Sequence, residues 1–173
     1  VNLDGQVYGC VVRSQVPHGR IIGIDMDEAL AMPGVLAIYT AKDLEGFGGI
    51  PCIVPFKNRD GSDMQKPPRP GLAVDVVRFV GDPIAMVVAE TYAEAKDAAE
   101  MVMVDIDELP AVTDPVAAAQ DGAPQLYDSV PNNVCLDYHF GDADAAQTAF
   151  AEAAHTTKLT LVNNRVVVAS MEP

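Results

Sequence analysis

Ile84-Ala85-Met86-Val87-Val88-Ala89-Glu90-Thr91-Tyr92-Ala93-Glu94 is the stretch that decides the fold class. Its first six residues are continuously apolar, which suits a central strand covered on both faces. Thr91 and Glu94 then make a capping box that opens a helix over Tyr92 to Glu100. Tyr92, Ala95, Ala99 and Val102 recur at helical spacing, so they form the expected buried stripe. Met101 to Ile106 reads as the next strand, ended by Leu109-Pro110.

Working backwards, Gly81-Asp82-Pro83 is a turn and Val74 to Val80 has strand character. Gln6 to Arg13 and Arg20 to Ile24 are strands separated by the turn Ser14 to Gly19. Asp27 is placed to cap a short helix, Glu28 to Met32, which Pro33-Gly34 stops. Val35 to Tyr39 is a strand, and Thr40 with Asp43 makes a near match to a second capping box. Residues 45–71 break the pattern, with Gly at 46, 48, 49, 61 and 71 and Pro at 51, 55, 67, 68 and 70. Such a stretch is a solvated loop, a lid or a docking arm, and the sequence leaves all three open.

Working forwards, Thr113 to Asn133 is a connector with a short helix at Pro115 to Ala119, and Cys135 to Phe140 reads as a strand. Asp142 caps a helix through Ala154. Lys158 to Val162 and Arg165 to Ala169 read as strands joined at Asn163-Asn164, a plausible hairpin turn. Strands and short helices alternate without a uniform βαβ period, so the class is α+β. The opening Val1-Asn2-Leu3 and the stop at Met171-Glu172-Pro173, directly after a β-prone run, suggest a piece of a longer polypeptide.

The chain has 173 residues, 49% of them hydrophobic and only 6% aromatic, with no Trp. A domain of that size buries about 70% of its unfolded surface and needs no staple. The core must therefore come from Val, Ile, Leu, Ala and Met, and Met86, Met101 and Met103 read as core filler. The net charge of −14 disfavours nucleic acid and anionic membrane as partners, since both require a basic face. Cys10, Cys52 and Cys135 fit neither a disulfide framework nor a zinc site, and reduced, buried thiols in a cytoplasmic protein are the expectation. No signal peptide and no membrane-length apolar run is present.

The search for chemistry returns little. Neither G-x-G-x-x-G nor a P-loop occurs, and Gly46-Phe47-Gly48-Gly49 does not open a helix. His18, His139 and His155 lie too far apart in sequence to share a metal on one element. His18 reads as exposed or locally hydrogen-bonded, and His155 as a helix C-terminal cation. Cys135 and His139 would stand roughly 13 Å apart along a strand, too far for a nucleophile and its base. Asp105 and Asp107 share the polar face of a half-buried strand. No catalytic, cofactor-binding or metal-binding residue is assigned.

A family resemblance supplies what the chemistry does not. Val12-Arg13-Ser14 through Gly19-Arg20-Ile21, Ala31-Met32-Pro33-Gly34-Val35, Val77-Arg78-Phe79-Val80-Gly81-Asp82-Pro83-Ile84-Ala85 and Asp105 to Val112 occur in order. Phe140-Gly141-Asp142 and Asn164-Arg165-Val166 through Met171-Glu172-Pro173 complete the series. Together they resemble the start of the molybdopterin-binding large subunit of molybdenum hydroxylases, the family of xanthine dehydrogenases, aldehyde oxidases and carbon monoxide dehydrogenases.

The resemblance implies an α/β-hammerhead domain over residues 1–116. Residues 117–173 would be a connector and the truncated start of the molybdopterin-binding domain. It further implies an oxidoreductase that hydroxylates an aldehyde or N-heterocycle, or oxidises carbon monoxide. A molybdopterin-type molybdenum cofactor, not bound by this segment, would pass electrons to [2Fe–2S] clusters and FAD in partner domains or subunits. The family's glycine-rich pterin contacts and catalytic Glu lie downstream of the Met-Glu-Pro stretch and map onto nothing here. Other readings of the same residues are a free-standing interaction module of hammerhead shape and, more weakly, a small thiol-dependent hydrolase.

Overall fold

The computed structural model describes residues 3–161. They fall into two compact units, Val1–Tyr138 and His139–Pro173. The first unit contains six strands: β1 (Tyr8–Arg13), β2 (Gly19–Asp25), β3 (Val35–Thr40), β4 (Val76–Val77), β5 (Pro83–Ala89) and β6 (Met103–Glu108). Its helices are α1 (Asp27–Leu30), α2 (Tyr92–Met101) and α3 (Pro115–Ala118). The strands form two three-stranded sheets, ordered β1-β5-β3 and β4-β2-β6. Every pairing is antiparallel.

The apolar run at 84–89 is the central strand β5, as its composition suggested. It is not covered on both faces along its length, because Met86 is 39% exposed. A bulge at the start of the run changes its phase. Val12 pairs with Ala85 and Arg13 with Pro83, so Ile84 is the extra residue. Ala85, Val87 and Ala89 then share one face, and Val87 packs with Ala29, Ala98 and Val102. Ile84 instead joins Ala73 and Val77 in a second cluster. Ile24 and Val104 pack against both clusters, which makes one continuous core beneath the two sheets.

Two more bulges explain exposed aliphatics. On β2, Ile21 pairs with Ile106 and Gly23 with Asp105, leaving Ile22 unpaired; on β3, Val35 and Ala37 pair with Ala89 and Val88, leaving Leu36. Ile22 and Leu36 are both more than half exposed. Helix α2 begins as expected: Thr91 Oγ1 accepts from the Glu94 N–H at 3.2 Å, and the Glu94 carboxylate accepts from the Thr91 N–H at 3.0 Å. Its buried stripe is Ala95, Ala98 and Val102, whereas Tyr92, expected in the stripe, is 59% exposed in the first turn.

Several expectations need correction. Asp27 is the first residue of α1 rather than its cap; Met26 holds that position, and Asp25 Oδ1 accepts from the Asp27 N–H instead. The strand expected over 74–80 shrinks to Val76–Val77, since only that stretch reaches β2. Met86, Met101 and Met103 sit on the outer surface rather than in the core. None of the three cysteines is buried: Cys52 is exposed, Cys10 and Cys135 are half-buried, and all are free.

Residues 135–138 form no strand but lie extended against the 45–71 segment. In the second unit, α4 (Ala143–Glu152) begins at its Asp142 cap, with the Ala145 N–H bonded to Asp142 Oδ1, and buries no residue. Residues 158–161 form no strand. The hairpin expected at Asn163-Asn164 and the strand at Arg165 to Ala169 lie outside the described residues.

Candidate functional site

A concavity of the first unit lies between β1, at the edge of one sheet, and β6, at the edge of the other. It has a volume of about 750 Å³ and is walled by Cys10 to Val16, Val104 to Ile106 and the α2 residues Lys96, Ala99 and Glu100. Its charged lining is mixed: Arg13 and Lys96 stand with Glu100 and Asp105. Cys10, Ser14 and Lys96 are the nucleophile-bearing residues of its wall, and no histidine lines it. No nucleophile there has a histidine beside it as a base, so the groove offers shape and mixed charge rather than a nucleophile–histidine pair.

Around this groove, the motif residues bind to one another. Arg13 Nη1 donates to the Gly81 carbonyl at 2.9 Å, the Ser14 N–H donates to the Asp82 carbonyl, and the Gly81 N–H returns a bond to the Ser14 carbonyl. Ser14, 1% exposed, donates through Oγ to the Val16 carbonyl at 2.7 Å. Asp82 closes the set by accepting from the Arg78 N–H. The Arg-Ser and Gly-Asp-Pro signatures are therefore the two halves of one structural knot joining β1 to the turn before β5.

His18 also turns inward, contrary to its reading as exposed or locally bonded. It is 6% exposed, and its Nδ1 lies 2.8 Å from the carbonyl of Pro110, 92 residues away. A carbonyl only accepts, so that nitrogen carries the proton. Beside it, the Leu109 N–H donates to the His18 carbonyl. The pair fastens the start of β2 to the end of β6, a packing role the sequence gave no sign of.

The connector after β6 is likewise pinned. Arg78 donates through Nε to the Leu126 carbonyl at 2.8 Å, and its guanidinium lies 4.2 Å from the Tyr127 ring centroid. Asn133 donates to the carbonyls of Ala118 and Pro124 and accepts from the Leu126 N–H. Asp114 caps α3, its Oδ1 accepting from the Ala117 N–H at 2.7 Å.

Segment 45–71 is neither a bare loop nor a lid over the groove but a braced arm. Gly49 bridges Pro70 near its base and Lys57 bridges Asp63 near its tip. The tip is tied to residues 135–137: the Arg59 N–H donates to the Asp137 carbonyl, the Gln65 N–H to the Cys135 carbonyl, and Arg59 pairs with the Asp137 carboxylate. Phe56 stacks at 44° on Tyr138, with ring centroids 5.1 Å apart. Hydrogen bonds from the Ser62 hydroxyl and backbone hold the Asp60 carboxyl below its ordinary 3.8, and Lys57 does the same for Asp63.

Among the described residues, no group of three His, Cys, Asp or Glu is placed to hold a metal ion. Every buried side-chain polar atom among them also has a partner within the chain. Asp105 and Asp107 are exposed on β6, opposite the inward Val104 and Ile106, as the alternation predicted. His139 and His155 are exposed in the second unit, and Cys135 belongs to the first. No described helix is long and apolar enough to cross a membrane.

The model of the "Aldehyde oxidase and xanthine dehydrogenase, a/b hammerhead domain" family matches residues 1–110. The large subunit of nicotine 6-hydroxylase from Paenarthrobacter nicotinovorans is 38% identical over 99% of this chain and 20% of its own length. Aldehyde oxidoreductase from Desulfovibrio gigas superposes with a TM-score of 0.65 at 39% identity, over 75% of this chain and 14% of that one. Carbon monoxide dehydrogenase from Oligotropha carboxidovorans superposes with a TM-score of 0.70 at 31% identity, over 90% of this chain and 20% of that one. The chain spans 14–22% of the length of the first curated relatives it matches.

Proposed function

This chain belongs to the aldehyde oxidase and xanthine dehydrogenase family, and from that premise we propose that it is the N-terminal scaffold of a molybdenum hydroxylase large subunit. The match over residues 1–110, at the hammerhead domain, carries the reading. In the full-length complex, the proposed reaction is hydroxylation of an aldehyde or N-heterocycle, or oxidation of carbon monoxide. Its molybdenum cofactor would supply the two-electron chemistry, with [2Fe–2S] clusters and FAD in partner domains or subunits as the electron path. Residues 1–116 would be the hammerhead domain, and 117–173 the connector and opening of the molybdopterin-binding domain, in a cytoplasmic complex.

The role of this segment is mechanical. Its motif residues form a knot between β1 and β5, and its histidine and arginine anchors hold the strand ends and connector. A rigid frame of this kind positions a site built by other residues. The test is to purify the full-length complex and measure its molybdenum, and to follow dye reduction with aldehydes, N-heterocycles and carbon monoxide. Stoichiometric molybdenum with turnover of one class is expected, while the 173-residue chain alone binds no molybdenum and shows no turnover. A complex without molybdenum, or a short chain that binds it stoichiometrically, overturns the reading.

A further inference from the structure

Asp-Gly occurs three times in the chain, at 4–5, 60–61 and 121–122. The second and third pairs lie well inside the described residues, exposed and in turns, with Gly61 at φ +85° and Gly122 at φ +81°. This dipeptide can rearrange by itself, because glycine has no Cβ to shield its amide nitrogen from the carboxyl group before it. The glycine nitrogen attacks Cγ of the aspartate and gives up its proton, and water leaves from the carboxyl group. A five-membered succinimide results. Water then adds at one of the two ring carbonyls and opens the ring to aspartate or to isoaspartate, so water is the sole co-reactant. The step requires a protonated carboxyl group free to swing and a nitrogen not already spent as a hydrogen-bond donor.

The fold treats the two pairs differently. At 60–61 both reactants are held: the Gly61 N–H donates to the Asn58 carbonyl at 2.9 Å, and Asp60 Oδ1 accepts from the Ser62 N–H at 2.9 Å and the Ser62 hydroxyl at 2.6 Å. Those Ser62 bonds favour the charged carboxylate, which cannot lose water. At 121–122 the turn is closed outside the pair, by the Ala123 N–H on the Gln120 carbonyl at 3.2 Å. The Gly122 N–H has no acceptor among the described residues, and Asp121 Oδ1 accepts a single longer bond, 3.2 Å from Asn132 Nδ2. We propose that Asp121–Gly122 is a self-modification site at which the native protein forms isoaspartate, and that the same dipeptide at 60–61 is restrained by Asn58 and Ser62. Isoaspartate carries the main chain through Cβ and moves the carboxylate away from Asn132. The next residue, Asn133, clamps the Ala118 and Pro124 carbonyls and the Leu126 N–H, so the change acts on the clamp of the connector.

The experiment ages the full-length protein at neutral pH, native and guanidinium-unfolded, and withdraws samples over weeks. Isoaspartate is counted by methyl transfer from S-adenosylmethionine with an isoaspartyl methyltransferase, and assigned to each pair by peptide separation and electron-transfer fragmentation. The unfolded chain should modify Asp60 and Asp121 at similar rates, because the dipeptide is the same. In the native protein Asp121 should keep most of that rate, while Asp60 should slow about tenfold or more, since its bonds must open first. Ser62→Ala should raise the native rate at Asp60 severalfold and leave Asp121 unchanged. A native protein in which Asp60 reacts as fast as Asp121 overturns the proposal. So does a native rate at Asp121 about tenfold or more below its unfolded rate, which would mean that the fold guards that pair as well. An unchanged Asp60 rate in Ser62→Ala overturns the part assigned to Ser62.

Discussion

Gly34→Ala tests the link between the turn after α1 and the cap of α2. Gly34 has φ +76°, in the left-handed region, and a Cβ there would stand well inside van der Waals contact of the Glu94 carboxyl carbon and both its oxygens. Glu94 is the acceptor half of the α2 capping box, receiving the Thr91 N–H and, at 2.7 Å, the Thr91 hydroxyl. Alanine therefore meets two costs. The left-handed backbone costs about 1–2 kcal/mol, and the displaced cap about 1 kcal/mol. The sum is about 2–3 kcal/mol. With an m-value of about 2 kcal/mol/M, the urea midpoint of far-UV circular dichroism should fall by about 1–1.5 M. Because part of the cost passes through Glu94, Glu94→Ala should cost about 1 kcal/mol in the parent chain and almost nothing on top of Gly34→Ala. A coupling of about 1 kcal/mol is the expected result of the cycle. Additivity within about 0.5 kcal/mol, or a midpoint shift below about 0.5 M, would refute the contact as the cause.

Ser14→Ala should destabilise the first unit by about 1 kcal/mol, because it strips the half-buried Val16 amide and carbonyl of their partner; urea unfolding of the variant checks this. Asp43→Asn should remove a pH dependence. The Thr40 N–H and hydroxyl hold the Asp43 carboxyl below its ordinary 3.8. The charged form therefore contributes stability above that value and loses it as pH falls through the lower folded pKa. The melting-temperature gap between parent and variant should be present at neutral pH and close in strong acid, and a gap constant with pH would refute the assignment. Arg78→Lys cannot keep both the Leu126 bond and the Tyr127 stacking. Cleavage of the 119–130 connector in limited proteolysis should speed up about fivefold, from about 1 kcal/mol of lost local stability, and an unchanged rate would show that Asn133 alone holds the segment.

Local signals were legible wherever one residue's chemistry decided them. Thr91 with Glu94 and Asp142 before Ala143 each announce a helix start, because the cap bond is made within three residues. The alternation of Val104 and Ile106 with Asp105 and Asp107 fixes the faces of β6, because side chains along a strand alternate by two. The family was legible from short motifs in order along the chain. Why those motifs exist was not, since Arg13-Ser14 and Gly81-Asp82 look unrelated until the fold sets them in one knot.

What the tertiary structure alone decided concerns bulges and long-range partners. The apolar run at 84–89 was read as a strand covered on both faces, yet Met86 lies outward and a bulge at Ile84 sets which residues turn inward. Only pairing with β1 places that bulge, because a register shift is a property of two strands. Bulges likewise expose Ile22 and Leu36, and Met86, Met101 and Met103 lie outward on faces that composition could not assign. His18 was read as a turn residue, but its partner is 92 positions away. The 45–71 segment gave the sequence no period to follow, and its order comes from residues 135–138. Sequence by itself determined the main strands of the first unit, the caps of α2 and α4, and the family. Tertiary structure decided which residues hold one another and which apolar surfaces remain uncovered, because burial and hydrogen-bond partnership are set by chain segments that meet only on folding.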